Sequence, residues 1–502
     1  MLREVCEASI TGRLQLFYPL NPAWNLEELD GWILEVGWSV CGGWGTLDFR
    51  WMTQNDEEVR ASEELILFAT KGCEASEAIS NSPLQAKIDL VEARNWLQEC
   101  QLTHEKCNQS ARPAAEPKRL IYVGGSSEST ALIESLVEPV GHYAALSYCW
   151  GDISQNYFRT TQETLARRLQ GFNINDLPKT IQDAVKVTRA LGLEYIWVDV
   201  LCIVQDDPED INEEMSHMGR IYQNAAVTIS ASRASHSNEG FLHERTLETT
   251  DKNTFAIRWS NLDNSDRSRG QMVLCTEAEI GRNKPDPVDT RAWTMQEHML
   301  SSRLLRFGKS QTVWECLESI CVDGGSEDKK PPPWDMAGEV RRAVYDWQQA
   351  VAQFTARSIT KTTDRLPAIA AVAEDYASKI GAKPSDYLPG LWRQGLPFML
   401  LWRIESKTAP RTCPALPAGQ RLFPTWSWHM ARSGVSWPSM EPAEHSDPML
   451  LKVLSHDIML ETETVQYGRV KIASLTVSAV LLRIFWSKIP INGLCTTPNP
   501  FR

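Results

Sequence analysis

The sequence predicts an α/β protein, a mostly parallel sheet flanked by helices, with mixed α+β regions before and after it. Three observations predict this class. The run Tyr195-Ile-Trp-Val-Asp-Val200 is almost continuously apolar, β-branched and aromatic. It is too short for a buried helix with its own caps, so it reads as a strand covered on both faces. Strand-like and helix-like segments alternate from about residue 140 to residue 232, the order of a doubly wound or closely related sheet. Asp199, Gln205, Asp206 and Asp207 gather where the central run ends, at the edge where open α/β sheets place their sites.

Composition bounds the function. With 502 residues, 42% of them hydrophobic, the chain can build a large core. A formal net charge of -13 and the lack of a basic stripe argue against a nucleic-acid partner. No apolar run approaches the ~20 residues that span a bilayer, so no membrane partner is expected. The first residues lack the basic-then-apolar order of a signal peptide, and twelve irregularly spaced cysteines do not make a disulfide framework. A reducing, cytoplasmic setting follows. GxxxxGK[ST] and GxGxxG are both absent, as are repeats at solenoid periods.

Taken in order, residues 1–117 form an α+β lead-in. Strands are expected at 31–40 and 46–52, and a helix at 84–102 through Ile88, Val91, Trp96 and Leu97. That helix runs into Cys100, His104 and Cys107, three soft ligands at helical spacing. A structural zinc site needs a fourth ligand and no CxxC pair supplies it, so ordinary thiols at a helix end, with no metal, is the preferred reading. Residues 118–323 form the main domain. Its strands are expected at 119–123, 143–151, 195–200, 225–232, 254–259, 271–275, 303–307 and 312–316. Its helices are expected at 161–169, 180–191, 209–224 and 289–301; Pro178 opens the second and Gly192 closes it. Residues 324–336, with Gly324-Gly-Ser and Pro331-Pro-Pro333, read as a linker. Residues 337–502 form a Trp-rich α+β region packing on the main domain. Trp392, Trp402, Trp426, Trp428 and Trp437 are its expected core anchors.

Three blocks together resemble the fungal heterokaryon-incompatibility (HET) domain family. They are Tyr143-Ala-Ala-Leu-Ser-Tyr-Cys-Trp-Gly-Asp152; Leu177-Pro-Lys-Thr-Ile-Gln-Asp-Ala184, running on through Gly192 and Tyr195 to Tyr222; and Arg291-Ala-Trp-Thr-Met-Gln-Glu297, with Arg303 and Trp314-Glu-Cys316. Trp96 to Cys107 and Pro424-Thr-Trp-Ser-Trp428 resemble the family's flanks. Val200 departs from the pattern, standing where the family commonly has serine. The resemblance implies an effector of non-self recognition that triggers growth arrest or cell death, with protein partners and self-association. It also implies a distant likeness to Toll/interleukin receptor (TIR) domains, some of which hydrolyse NAD using a glutamate in a Trp-Cys-x-x-Glu motif. Trp293-Thr-Met-Gln-Glu297 keeps the tryptophan-to-glutamate spacing, with Thr294 in place of cysteine.

The chemistry narrows to a polar cleft. Cys202 has no histidine in its block to act as base, and Ser147 sits inside an apolar strand. Glu297, Asp199 and Arg291 are the candidate catalytic residues. Trp150, Gly151, Gln205, Asp206, Trp293, Gln296 and Arg303 are the candidate ligand-binding residues, with no cofactor and with NAD as the substrate the resemblance suggests. Two readings stay open: an enzyme acting on a nucleotide, or an assembly module without chemistry, its charged residues forming a buried network.

Overall fold

A ten-stranded mixed sheet carries the middle of the chain in the computed structural model. The structure describes residues 34–41, 44–52, 58–69, 87–109, 117–125, 128–135, 142–151, 158–245, 255–258, 271–276, 285–309, 311–323, 327–329, 340–405, 411–412, 414–415, 424–438, 451–461 and 465–479. The strands are β1 (Arg119–Tyr122), β2 (Ser129–Glu134), β3 (Tyr143–Ser147), β4 (Phe172–Asn173), β5 (Tyr195–Trp197), β6 (Val227–Ser230), β7 (Arg303–Phe307), β8 (Thr312–Cys316), β9 (Ser319–Val322) and β10 (Glu327–Lys329). Their order across the sheet is β10-β9-β8-β7-β6-β3-β5-β1-β2-β4.

Only the inner run β7-β6-β3-β5 is parallel; every pairing outside it is antiparallel. The α/β class therefore holds, but "mostly parallel" does not. Hairpins extend both edges, because short connections can join only antiparallel neighbours. Part of the expected linker is one such edge: β10 pairs with β9. The strand expected at 195–200 is interior but ends at Trp197. Val198 caps a single helical turn, α5 (Asp199–Cys202), in which Leu201 and Cys202 donate back to the Val198 carbonyl at 3.0 and 2.8 Å. The turn gives the Asp199 carboxylate N–H donors that a continuing apolar strand would deny it.

Helices cover the sheet. They include α1 (Leu90–Thr103), α2 (Glu105–Gln109), α3 (Gln162–Gln170), α4 (Lys179–Ala190), α6 (Pro208–Asn224) and α7 (Ala292–Leu300). Local sequence sets their ends. Asp207 caps α6 by accepting from the N–H groups of Glu209 and Asp210 at 3.0 and 3.3 Å, with Pro208 in the first turn. One continuous core joins β3, β5 and β6 to α1, α4 and α6 through side chains such as Leu97, Val185, Trp197 and Ile221, all nearly inaccessible to water.

A second core lies beyond it, built by α8 (Val340–Thr355), α9 (Pro367–Ile380) and the loops that follow. Trp347, Trp392 and Trp428 are fully buried there, and Trp402, Trp426 and Trp437 are partly buried around it. Helix α7 is shared: Ala292 and Met295 belong to the second core, while Trp293 packs against both. At Gly219 of α6 an added Cβ would lie 2.4 Å from the Ala371 Cβ of α9, so glycine lets these two helices touch.

The lead-in is not separate. Strands Leu34–Cys41, Trp44–Met52 and Glu58–Ala69 form an antiparallel sheet with Gln271–Thr276 and Phe255–Arg258 from the main domain. No helix among the described residues is long and apolar enough to cross a membrane. Asp152, part of the first sequence block, lies outside the described residues.

Candidate active site

Strands β3 and β6 are parallel neighbours, yet the chain leaves β3 for β5 on one side and β6 for β7 on the other. Such a switch point opens a crevice at the carboxyl ends of the strands. Tyr148, Cys149 and Trp150 follow β3 there, Asp199 follows β5, and α7 lies across them from the next layer.

Asp199 is held from several sides. The Trp150 indole N–H donates to its Oδ2 at 2.8 Å, and the Val200 N–H donates to its Oδ1 at 2.7 Å. Burial pushes its carboxyl up to about 6, against the pull of the Arg291 guanidinium, these two donors and Tyr148. Glu297 is only 6% exposed, and burial pushes it up to about 7. The Ser147 hydroxyl, Arg291 and the Tyr222 hydroxyl oppose that rise, while the charge of Asp199 adds to it. Two carboxyls thus share one guanidinium and resist ionising together.

Arg291 precedes α7, and its Nη1 donates to the Tyr148 carbonyl. The second core fixes the same corner. Arg291 bridges to Ser358, the Ala292 N–H donates to the Ser358 carbonyl at 2.9 Å, and Arg357 reaches the Thr294 hydroxyl at 3.1 Å. The Tyr148 hydroxyl is buried beside Asp199 without a hydrogen bond of ordinary geometry, and the Gln296 side-chain carbonyl is buried without a donor. Buried polar atoms of this kind usually pair with protein, water or a ligand group.

The structure brings together Glu297, Asp199, Arg291 and Trp150. Gly151, exposed, and Gln296, on α7, lie next to them in the chain. Trp293 sits at the seam of the two cores. Three residues expected to bind ligand serve other ends. The Gln205 amide donates to the Asp199 and Ile203 carbonyls at 3.0 and 3.2 Å, tying down the α5 turn. Asp206 is exposed and accepts the Gln162 N–H at 2.8 Å, at the start of α3. Arg303 points to Cys100, Cys107 and Asn108.

Sequence reasoning passed over His298 and Asp289. His298 Nε2 lies 3.2 Å from the Ser147 hydroxyl, and its Nδ1 lies 3.6 Å from Asp289, which also meets Arg306 at 2.5 Å. Burial, with Arg306 and Arg357 nearby, drives the imidazole well below its ordinary pKa and so favours its neutral form. Ser147 is fully buried and within hydrogen-bond reach of His298, while Asp289 stands beyond hydrogen-bond distance of the imidazole, so the three are not an accessible nucleophile set. The one signal for it was a histidine adjacent to Glu297.

The carboxyl pair gives stability a pH slope. Glu297 rises from its ordinary 4.5 to about 7, so the folded state holds its proton where the unfolded state has lost it. Stability is therefore undiminished below about pH 4.5 and falls as pH rises towards 7. Glu297→Gln has no proton to lose. It should match the wild type near pH 4 and exceed it near pH 8 by on the order of 3 kcal/mol. Thermal unfolding across this range checks it; equal slopes in the two proteins would mean that Glu297 is not buried in this way.

No curated protein and no solved structure matches the chain. Residues 143–297 match the family model described as heterokaryon incompatibility protein (HET). The matched span opens on the first residue of β3 and closes on Glu297, so it contains both carboxyls and Arg291. The chain therefore carries a HET domain over residues 143–297.

Proposed function

We propose that this protein is a cytoplasmic effector of fungal non-self recognition, one that arrests growth or kills the cell by hydrolysing NAD at the Glu297–Asp199 site. The observation carrying this reading is the pair of buried carboxyls with pKa values raised towards neutrality, set beside Arg291 at the switch point of the sheet. Groups tuned in this way are what proton transfer and cation stabilisation need near neutral pH. In its ionised form Glu297 accepts a hydrogen bond from a ribose hydroxyl and stabilises the positive charge that develops at C1′ as the bond to nicotinamide breaks. The bonding pair leaves with nicotinamide, water adds at C1′, and its proton passes to a carboxylate. The Gln296 side-chain carbonyl and the Tyr148 hydroxyl beside Asp199 are the polar atoms that a bound nucleotide would engage.

The second reading is a module that signals through protein partners or self-association. It is favoured by how little of Glu297 is exposed and by the clamp that Arg357 and Ser358 place on α7. Here the charged groups are a network locking the two cores together.

The experiment pairs NAD turnover by the purified full chain with growth of cells expressing it, for wild type and Glu297→Gln. Turnover and toxicity in the wild type, both lost in a folded Glu297→Gln protein, are expected. Toxicity that persists in that folded variant removes the enzyme reading and leaves the assembly module.

A further inference from the structure

We propose that Cys100, His104, Cys107 and Cys316 form a structural zinc site that fastens the lead-in helices to the sheet. This inference is independent of any chemistry at Glu297. Cys100 lies in the last turn of α1, His104 is the extended residue between the helices and Cys107 lies in α2, and the break between the helices brings their ligand atoms to one place. The fold supplies the fourth. Cys316, 212 residues beyond His104 in the chain, ends strand β8 at that place.

The ligand atoms fit one ion. All four lie within 4.8 Å of one another, and the Cys316 sulfur is 3.2 Å from His104 Nδ1. Tetrahedral zinc, with bonds of about 2.3 Å to sulfur and about 2.0–2.1 Å to nitrogen, puts neighbouring ligand atoms about 3.3–3.8 Å apart. Contractions of about 1 Å or less close the set. A disulfide would use two sulfurs and leave the third, with the imidazole, without a role. Three cysteines and one histidine are a common donor set for structural zinc.

The surroundings are those of thiolates. The Glu318 and Ser319 N–H groups point at the Cys316 sulfur, at 3.5 and 3.3 Å. The Arg303 Nε donates to the Cys100 sulfur at 3.2 Å, and its Nη2 reaches the Cys107 carbonyl and the Asn108 side chain. Arg303 is buried, and none of these partners is a carboxylate. Three thiolates and a neutral imidazole around a divalent ion leave one net negative charge, which this guanidinium neutralises. A further clamp ties the two sides: the Lys106 N–H donates to Glu318 at 2.8 Å. The three thiols are buried and His104 is partly exposed, as suits a closed structural site near the surface.

The test is the metal content of the full chain purified without chelator. About one zinc per chain is expected. Protein produced in cobalt-supplemented medium should show sulfur-to-cobalt charge transfer and the strong visible bands of a tetrahedral site. Cys316→Ala and His104→Ala should lose the metal and melt lower. His104→Cys, which rebuilds a four-thiolate set, should keep the metal and the wild-type melting temperature, separating ligation from general damage. Cys321→Ser, a nearby thiol outside the set, should also keep it. A chain that is metal-free as purified, takes up no cobalt and melts identically with and without a strong chelator overturns the proposal. So does zinc retained in the His104→Ala, Cys316→Ala double variant.

Discussion

Asp210→Ala is expected to destabilise the folded chain by about 3–5 kcal/mol, the usual cost of removing one partner of a buried ion pair. Asp210 sits in the first turn of α6, and its carboxylate joins three elements. The Arg119 guanidinium from β1 meets its Oδ2, the Val204 N–H donates to the same oxygen at 2.8 Å, and Lys118 reaches Oδ1 at 3.2 Å. The Arg119 Nε also holds the Cys202 carbonyl at 2.7 Å, so the cluster braces the α5 turn that presents Asp199. Burial alone would raise the Asp210 carboxyl, but Arg119, the Val204 N–H and Lys118 outweigh it and hold the pKa below its ordinary value. The contribution is therefore complete above about pH 4 and lost as pH falls. Urea unfolding near neutral pH measures the loss, and Asp210→Asn, which keeps shape and some hydrogen bonding, should recover part of it. A loss under about 1 kcal/mol for Asp210→Ala would mean that water takes over the carboxylate's role.

Gly151→Val is expected to unfold the domain or leave it too unstable to act. Gly151 has φ of +78°, where a β-branched residue costs roughly 1–3 kcal/mol. An added Cβ would also meet the His236 Cβ at 2.5 Å. That neighbour has little room to retreat: Thr180 donates from its hydroxyl to the His236 carbonyl at 3.2 Å and from its N–H to the Ser237 carbonyl at 2.8 Å. Over-packing adds roughly 1–3 kcal/mol. Gly381→Ala is the control, since Gly381 has φ of +66° with nothing within 4 Å, so it isolates backbone strain from the clash. Soluble yield and urea unfolding read both. Gly151→Val protein that unfolds at the wild-type midpoint would show that the segment around His236 moves aside freely.

Periodicity and punctuation made the local structure legible. Asp207-Pro208 and Pro178 with Gly192 marked helix ends that the structure places within a residue or two, because capping and backbone stereochemistry are decided by near neighbours. Glu297 could be placed on the apolar side of its helix from its spacing to Trp293 and Leu300, and it is buried. The three family blocks could be read in the same way, and the matched span of residues 143–297 contains the first two and the Arg291–Glu297 core of the third.

What depends on distant partners had no local signal. The run from Tyr195 to Val200 looks like one strand, but the indole of Trp150 and the N–H of Val200 offer Asp199 better partners in a turn, so β5 ends at Trp197. Sheet composition was misjudged for a related reason: apolar content reports burial, whereas strand direction is set by which connections are long enough to cross over. Asp206 and Arg303 look like site residues in the sequence because a charge does not announce its partner. Tertiary structure gives one to the start of α3 and the other to the cysteine cluster. The sequence alone determined the class of fold, the family blocks and the burial of Glu297, all carried by neighbours a few residues apart. Only the tertiary structure decided that Asp199 and Glu297 share Arg291, and that Cys316 meets Cys100, His104 and Cys107. Those meetings are set by how sheet and helices pack, across separations that spacing does not encode.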